Sequence, residues 1–283
     1  MIPNFELKTI RVNTETLAYE IAGDGALILC LPGVGDLRQE YDRLAPQLVK
    51  AGFRVMVADL RGHGDTSVGW QSFDVPALAS DIERLLDAEK TEKALLIGCS
   101  ISGASTAYFA AQHPERVAGV VGICPIRRVP FTGLKAILMP WILSGMFAKP
   151  WGVEVWGMYY RSLYPSFPPD DLDTYVATLK TKLREPGRFA AFKSMLLTGR
   201  DSAHLKTIRV PVLDFIGMAD PDYEDPQSEA DWLTSTIPQV EVHLLEGLGH
   251  YPHREQPERI LPRLLQFAHQ TLRSHSSSLT GSS

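Results

Sequence analysis

Four short apolar runs, each closed by small or turn-forming residues, constrain this chain more than anything else in it. They read ALILCL (26–31), FRVMVADL (53–60), ALLIG (94–98) and VAGVVGIC (117–124). A strand with one wet face alternates apolar and polar residues, whereas an unbroken apolar run marks a strand covered on both sides. Between these runs the period changes. Leu37, Tyr41, Leu44 and Leu48 recur at helical spacing within LRQEYDRLAPQLVKAG (37–52). VPALASDIERLLDAEK (75–90) is amphipathic, and SGASTAYFAAQHP (102–114) ends at a proline. Strands separated by helices need crossover connections, and right-handed crossovers cover both faces of a parallel sheet. KTIRV (8–12) and TLAYEI (16–21) alternate as edge strands do. The expected fold class is α/β, a mostly parallel central sheet with helices on both faces.

The pattern then stops. Residues 126–208 contain many prolines and no convincing buried strand, and the alternation resumes with VPVLDFIG (210–217), a helix near 225–235, VEVHLL (240–245) and a last helix, QPERILPRLLQFAHQTL (256–272). This divides the chain into a core (1–125 and 209–274), a helical insertion (126–208) and a low-complexity tail (275–283) expected to be disordered. A length of 283 residues suits one domain carrying an insertion. The net charge of −5, without a Lys/Arg cluster, argues against a nucleic-acid surface. ILMPWILSGMFA (137–148) contains a proline and is too short for a stable membrane span. The opening MIPNFELKTIRV lacks the basic-then-apolar layout of a signal peptide, so a cytoplasmic protein is expected. Cys30, Cys99 and Cys124 all fall in strand-like runs and read as buried free thiols. Oligomeric state is not legible.

Chemistry is concentrated in LLIGCSISGAS (95–105), which offers Cys99, Ser100, Ser102 and Ser105. Ligands of open α/β sheets bind at the carboxyl ends of the strands, where this stretch leaves ALLIG. A nucleophile on a tight strand-to-helix turn needs small residues two before and two after it, or their side chains collide. Ser100 has Gly98 and Ser102 there. Cys99 would have Ile97 and Ile101, which excludes it. Ser102 has Ser100 and Ala104 but lies further from the strand, and Ser105 is already inside the helix.

GCSISG resembles the nucleophile elbow of the α/β-hydrolase superfamily, Gly-x-Ser-x-Gly, with Ser102 standing for the second glycine. LCLPGVGD (29–36) resembles that family's oxyanion-loop strand, with Pro32 in place of the common His. ADLRGHGDTS (58–67) resembles its next strand and turn, and GLGHYPHREQPE (247–258) its histidine loop. The four occur in the family's order. The resemblance implies a capped, esterase-like serine hydrolase whose partners follow in the order Ser, acid, His. Among eight histidines, His250 follows the last strand at the Ser100 end of the sheet, whereas His243 lies inside that strand. His63 belongs to the RGHG turn, where the resemblance implies a structural role, and His253 reads as local packing or capping. The family's Gly-x-x-Asp pattern falls on Gly217 and Asp220, with Asp222 the nearest rival, then Glu224 and Asp225. The site would therefore comprise Ser100, His250 and Asp220, with the backbone N–H groups of Val34 and Ile101 facing the developing oxyanion.

The insertion would lie over the strand ends as a lid. It holds Trp141, Trp151 and Trp156, three of five tryptophans, and four of seven methionines, Met139, Met146, Met158 and Met195. That exceeds what a thin cap needs for its own core and implies an apolar pocket lined by Trp141, Met146, Trp156 and Tyr159. Arg127 and Arg128 open the insertion and read as a solvated hinge, or else as partners of a substrate carboxylate. The expected activity is hydrolysis of a small hydrophobic ester or lactone, with no metal and no cofactor. The resemblance leaves open carbon–carbon bond hydrolysis of dienoates and cofactor-free perhydrolase or haloperoxidase chemistry. A small-molecule receptor on the same fold is the reading from another class.

Overall fold

The computed structural model describes residues 2–128, 133–199 and 201–273; the tail expected to be disordered (275–283) lies outside them. β1 (Glu6–Val12) and β2 (Glu15–Ala22) form an antiparallel hairpin. β3 (Leu27–Leu31), β4 (Arg54–Ala58), β5 (Ala94–Cys99), β6 (Val117–Ile123), β7 (Val212–Gly217) and β8 (Val240–Leu245) follow. The eight strands form one sheet in the order β1-β2-β4-β3-β5-β6-β7-β8, parallel from β4 onward. β3, β5 and β6 are buried along their whole length, as their unbroken apolar runs require, and β7 is equally buried although Asp214 interrupts its apolar run.

The core helices are α1 (Ala45–Lys50), α2 (Val75–Ala88) and α3 (Ile101–Gln112), with α8 (Pro226–Thr236), α9 (Pro252–Glu255) and α10 (Leu261–Arg273) near the end of the chain. Asp74 caps α2 by accepting the Ala77 N–H at 2.8 Å, with Pro76 in the first turn where a missing N–H costs nothing. Among the described residues between β6 and β7 lie four α-helices, α4 (Gly133–Met146), α5 (Gly152–Ser162), α6 (Leu172–Arg184) and α7 (Arg188–Leu196), and a 3₁₀ turn (Ala203–Thr207). Among the described residues no helix is long and apolar enough to cross a membrane.

Proline explains two departures from the sequence pattern. The single helix expected over 37–52 is a 3₁₀ turn (Arg38–Tyr41) followed by α1, because Pro46 is accommodated only in the first turn of a new helix. The final helix expected over 256–272 is likewise a 3₁₀ turn (Pro257–Arg259) and then α10, with Pro262 in its first turn.

The strand ends are held level by register, Leu31 opposite Gly98, Cys99 opposite Ile123, Ile123 opposite Phe215, and Gly217 opposite Leu245. Loops leaving β3, β5, β7 and β8 therefore converge at one edge. Arg127, expected to be solvated, is instead fully buried just past β6, where its two Nη atoms pair with the Asp214 carboxylate on β7. Arg128 pairs with Glu229 of α8 and lies over the Trp232 ring. Breaking one side of a dry ion pair strands the other charge, so Asp214→Ala is expected to lower unfolding free energy by ~3–5 kcal/mol. Urea titration checks this.

Candidate active site

One residue separates β5 from α3, and it is Ser100. Its φ of +52° and ψ of −120° lie where L-residues rarely sit, at a cost of ~1–3 kcal/mol. The surroundings impose the conformation. The Ser100 N–H donates to Ile123 O at 3.0 Å, and the Ser100 carbonyl accepts the N–H groups of Gly103 and Ile126, both at 3.0 Å. So sharp a turn leaves no room for side chains beside it. A Cβ on Gly98 would fall 2.4 Å from the Ser102 carbonyl oxygen, and one on Gly103 would fall 2.5 Å from the Pro125 ring. The rival hydroxyls are committed elsewhere and fully buried: Ser102 Oγ donates to Pro32 O at 2.5 Å and Ser105 Oγ to Ser102 O at 3.1 Å. Ser100 faces a cavity.

His250 faces the same cavity from the loop after β8. That loop turns at Gly247 with φ +73° and is pinned by the His250 N–H on Leu163 O at 3.0 Å and the Gly249 N–H on Glu255 Oε1 at 2.7 Å. His250 Nδ1 lies 2.7 Å from Asp220 Oδ2, and since an ionised carboxylate only accepts, Nδ1 carries the proton; among the described residues Nε2 has no carboxylate partner. Asp222, the rival acid, stands further from Nδ1, at 3.5 Å. The Asp222 N–H donates to Asp220 Oδ1 at 2.9 Å and so fixes the closer carboxylate. Burial pulls the imidazole pKa down, but the charges of Asp220 and Asp222 outweigh it and raise it to about 9.

The loop after β3 carries the N–H groups opposite Ser100. Gly33 N–H donates to Glu40 Oε2 at 2.7 Å, and Gly35 N–H, at a φ of +74°, donates to His63 Nε2 at 3.0 Å. Val34 lies between them at the cavity wall, and Ile101 opens α3 beside Ser100. Neither of these two N–H groups donates to another group among the described residues. An N–H in the first helical turn is without an intrahelical acceptor by geometry. His63 is thus a support for this loop, and burial lowers its pKa to about 4, keeping it neutral.

The cavity encloses about 260 Å³. α4 and the residue after it contribute Leu143, Met146 and Phe147, and α5 contributes Trp156 and Tyr159. Trp156 also donates its indole N–H to Gly35 O at 3.3 Å, and the Tyr159 hydroxyl donates to Asp222. Trp141 is placed differently from expectation: it is 78% exposed on the outer side of α4 and does not line the cavity. Sequence periodicity could not separate the two sides of a helix that is apolar all round. Arg127 and Arg128, bound to Asp214 and Glu229, are not in the lining.

Glu40, Asp36 and Tyr251 were not singled out by the sequence pattern, yet all three adjoin the site. The three cysteines are free and buried. Among the described residues two groups, Glu40–Cys99–His253 and Cys124–Asp220–His250, gather potential ligand atoms within 4.8 Å. Burial holds the Cys99 and Cys124 thiols well above their ordinary pKa, so they stand as neutral thiols among hydrogen-bonded neighbours.

A family profile described as the alpha/beta hydrolase family matches residues 28–263. An uncharacterised protein of Mycobacterium tuberculosis is 25% identical, over 94% of this chain and 81% of its own. A Rhodococcus erythropolis protein named 2-heptyl-3-hydroxy-4-quinolone dioxygenase is 26% identical, over 94% of this chain and 96% of its own. Among solved structures, a thermophilic esterase from Thermogutta terrifontis superposes with a TM-score of 0.75 at 23% identity, covering 94% of this chain and 99% of that one. With a serine on the turn after β5, a histidine after β8 and a profile matched across nearly the whole core, the chain belongs to the alpha/beta hydrolase family.

Proposed function

We propose that this protein is a serine hydrolase that cleaves a small hydrophobic ester or lactone through an acyl-enzyme. One observation carries the reading: a strained serine, a carboxylate-bound histidine and Val34 with its uncommitted N–H border a single, largely apolar cavity, and the second uncommitted N–H, that of Ile101, directly follows the serine. Ser100 Oγ attacks the substrate carbonyl carbon while His250 Nε2 takes the hydroxyl proton. Asp220 holds the imidazole in the tautomer with its proton on Nδ1 and stabilises the cation that forms. The carbonyl oxygen gains a negative charge that the Val34 and Ile101 N–H groups meet. Collapse breaks the acyl–oxygen bond, and the alkoxide leaves with the proton from His250. Water, deprotonated by the same histidine, then attacks the acyl-enzyme and releases the acid. Residues 126–208 act as the cap that keeps this cavity dry.

The lining favours ester and lactone cleavage over dienoate cleavage. Among the described residues it contains no lysine or arginine to hold a substrate carboxylate, and it does contain Asp222 and Glu224. At about 260 Å³ the cavity falls below the common range of ~300–1,000 Å³ for ligand pockets. In a series of p-nitrophenyl esters, kcat/KM is expected to be highest for acetate to hexanoate and to fall at least ~10-fold by palmitate, which cannot be enclosed. Absence of hydrolysis across esters and lactones would overturn the reading. The full-length dioxygenase relative favours a second one, in which His250 deprotonates a heteroaromatic hydroxyl and dioxygen is consumed. An oxygen electrode with a hydroxyquinolone separates the two.

Only neutral His250 accepts a proton. Because Asp220 and Asp222 raise its pKa to about 9, kcat/KM is expected to climb with pH across the neutral range and level off above that value. A pH–rate profile tests this, and a flat profile from pH 6 to 10 would contradict the role of the histidine.

A further inference from the structure

We propose that Glu40 is a positioning residue: its carboxylate bolts the loop carrying the Val34 N–H to the loop carrying His250, and so fixes the oxyanion site relative to the base. The proposal rests on the acyl-transfer reading above. Glu40 lies on the 3₁₀ turn Arg38–Tyr41 and is completely buried. One of its oxygens, Oε2, accepts the Gly33 N–H at 2.7 Å. The other, Oε1, accepts His253 Nε2–H at 3.0 Å. Gly33 immediately precedes Val34, and its backbone packs closely enough on Ser100 that an added Cβ would meet the serine Cβ at 3.4 Å. His253 belongs to α9, three residues past His250. A single side chain thus grips both walls of the site from behind.

The surroundings leave little else for this group to do. Glu40 does not line the cavity. His253 is fully buried, burial lowers its pKa to about 3, and its Nδ1 has no partner among the described residues. It is therefore a neutral ring whose one polar engagement here is the bond to Glu40, with the Tyr41 ring 5.0 Å away. A buried carboxylate without donors is costly. Burial pushes the Glu40 carboxyl up to about 7, opposed by its bond from the Gly33 N–H and by contacts with the Cys99 thiol and Asp36, while the bond to His253 ties it to the histidine loop. The next loop residues are tied from the other side, where Asp36 accepts the hydroxyls of Tyr160 at 2.7 Å and Tyr175 at 2.5 Å. Those contacts anchor the loop to α5 and α6, whereas Glu40 anchors it to the histidine loop.

The partnerless His253 Nδ1 yields a sharp test. In Glu40→Gln the amide oxygen can still accept the Gly33 N–H. The new NH₂ can donate to His253 Nε2 if the ring proton moves to Nδ1, where no bond is lost. Both ties survive without the charge. Glu40→Ala removes both. The readout is the second-order rate of phosphonylation of Ser100 by a fluorophosphonate, per folded molecule, because the phosphoryl oxygen must enter the oxyanion site. Glu40→Ala is expected to slow this rate ~10²-fold, the typical effect of a lost oxyanion contact, and Glu40→Gln to stay within about tenfold of wild type. If Glu40→Ala does not fold, His253→Leu cuts the histidine-loop tie alone and is expected to slow the rate about tenfold.

A purely structural role would lower Tm yet leave the rate per folded molecule unchanged in every variant, and that result would overturn the proposal. Equal slowing in Glu40→Gln and Glu40→Ala would overturn it too, by showing that charge and not the pair of bonds matters. Failure of the underlying reading looks different: wild type itself would not react at Ser100.

Discussion

Ser100→Ala is expected to reduce kcat for ester hydrolysis by on the order of 10⁶-fold, the scale found when a serine nucleophile is removed from an otherwise intact site. Stability should barely change. Alanine keeps the Cβ that occupies the turn at φ +52°, and the Ser100 Oγ makes no hydrogen bond within the protein among the described residues. The backbone bonds to Ile123, Gly103 and Ile126 that impose the turn are untouched. Unfolding free energy within about 1 kcal/mol of wild type, measured by urea titration, separates this loss from misfolding. Ser100→Gly should be equally inactive yet more stable, because glycine tolerates the positive φ without the ~1–3 kcal/mol of strain. Substantial turnover by either variant would remove Ser100 from the chemistry.

Asp220→Asn is the second large effect, expected at ~10⁴-fold in kcat. The carboxylate accepts Nδ1–H at 2.7 Å, which holds the proton on Nδ1 and leaves Nε2 free to act as base. An asparagine amide can turn its NH₂ toward Nδ1 and stabilise the opposite tautomer, with Nε2 already protonated. The same substitution at Asp222, 3.5 Å from Nδ1, should cost less than about tenfold, because that group contributes charge and does not set the tautomer. The contrast between two carboxylates two residues apart is the informative part. Equal losses, or a larger loss at Asp222, would exchange their roles.

Much of this was legible in the sequence for a physical reason. Strands covered on both faces read as near-continuous apolar runs, so β3, β4, β5 and β6 announce themselves, and their order with the intervening helices leaves few topologies. Ser100 could be chosen over Ser102 and Ser105 because a strand-to-helix turn tolerates only small flanking residues, and the clashes a Cβ would make at Gly98 and Gly103 show how little room there is. Local pattern fails where partners are distant in the chain. Arg127 pairs with Asp214, and Glu40 pairs with His253, and nothing near either residue hints at the other. It also fails on α4, which carries apolar residues on all sides: Leu143 and Met146 line the cavity while Trp141 stands outside it. Helix breaks at Pro46 and Pro262 were written in the sequence, but hydrophobic spacing continued through both and hid them.

Mapping the site of a fluorophosphonate adduct by peptide mass spectrometry is the most direct test of an activated Ser100. One adduct is expected, on the peptide containing Ser100, absent from Ser100→Ala and formed far more slowly in His250→Gln. An adduct on Ser102 or Ser105, or a folded wild-type chain that takes up no reagent, would contradict a serine nucleophile at the end of β5.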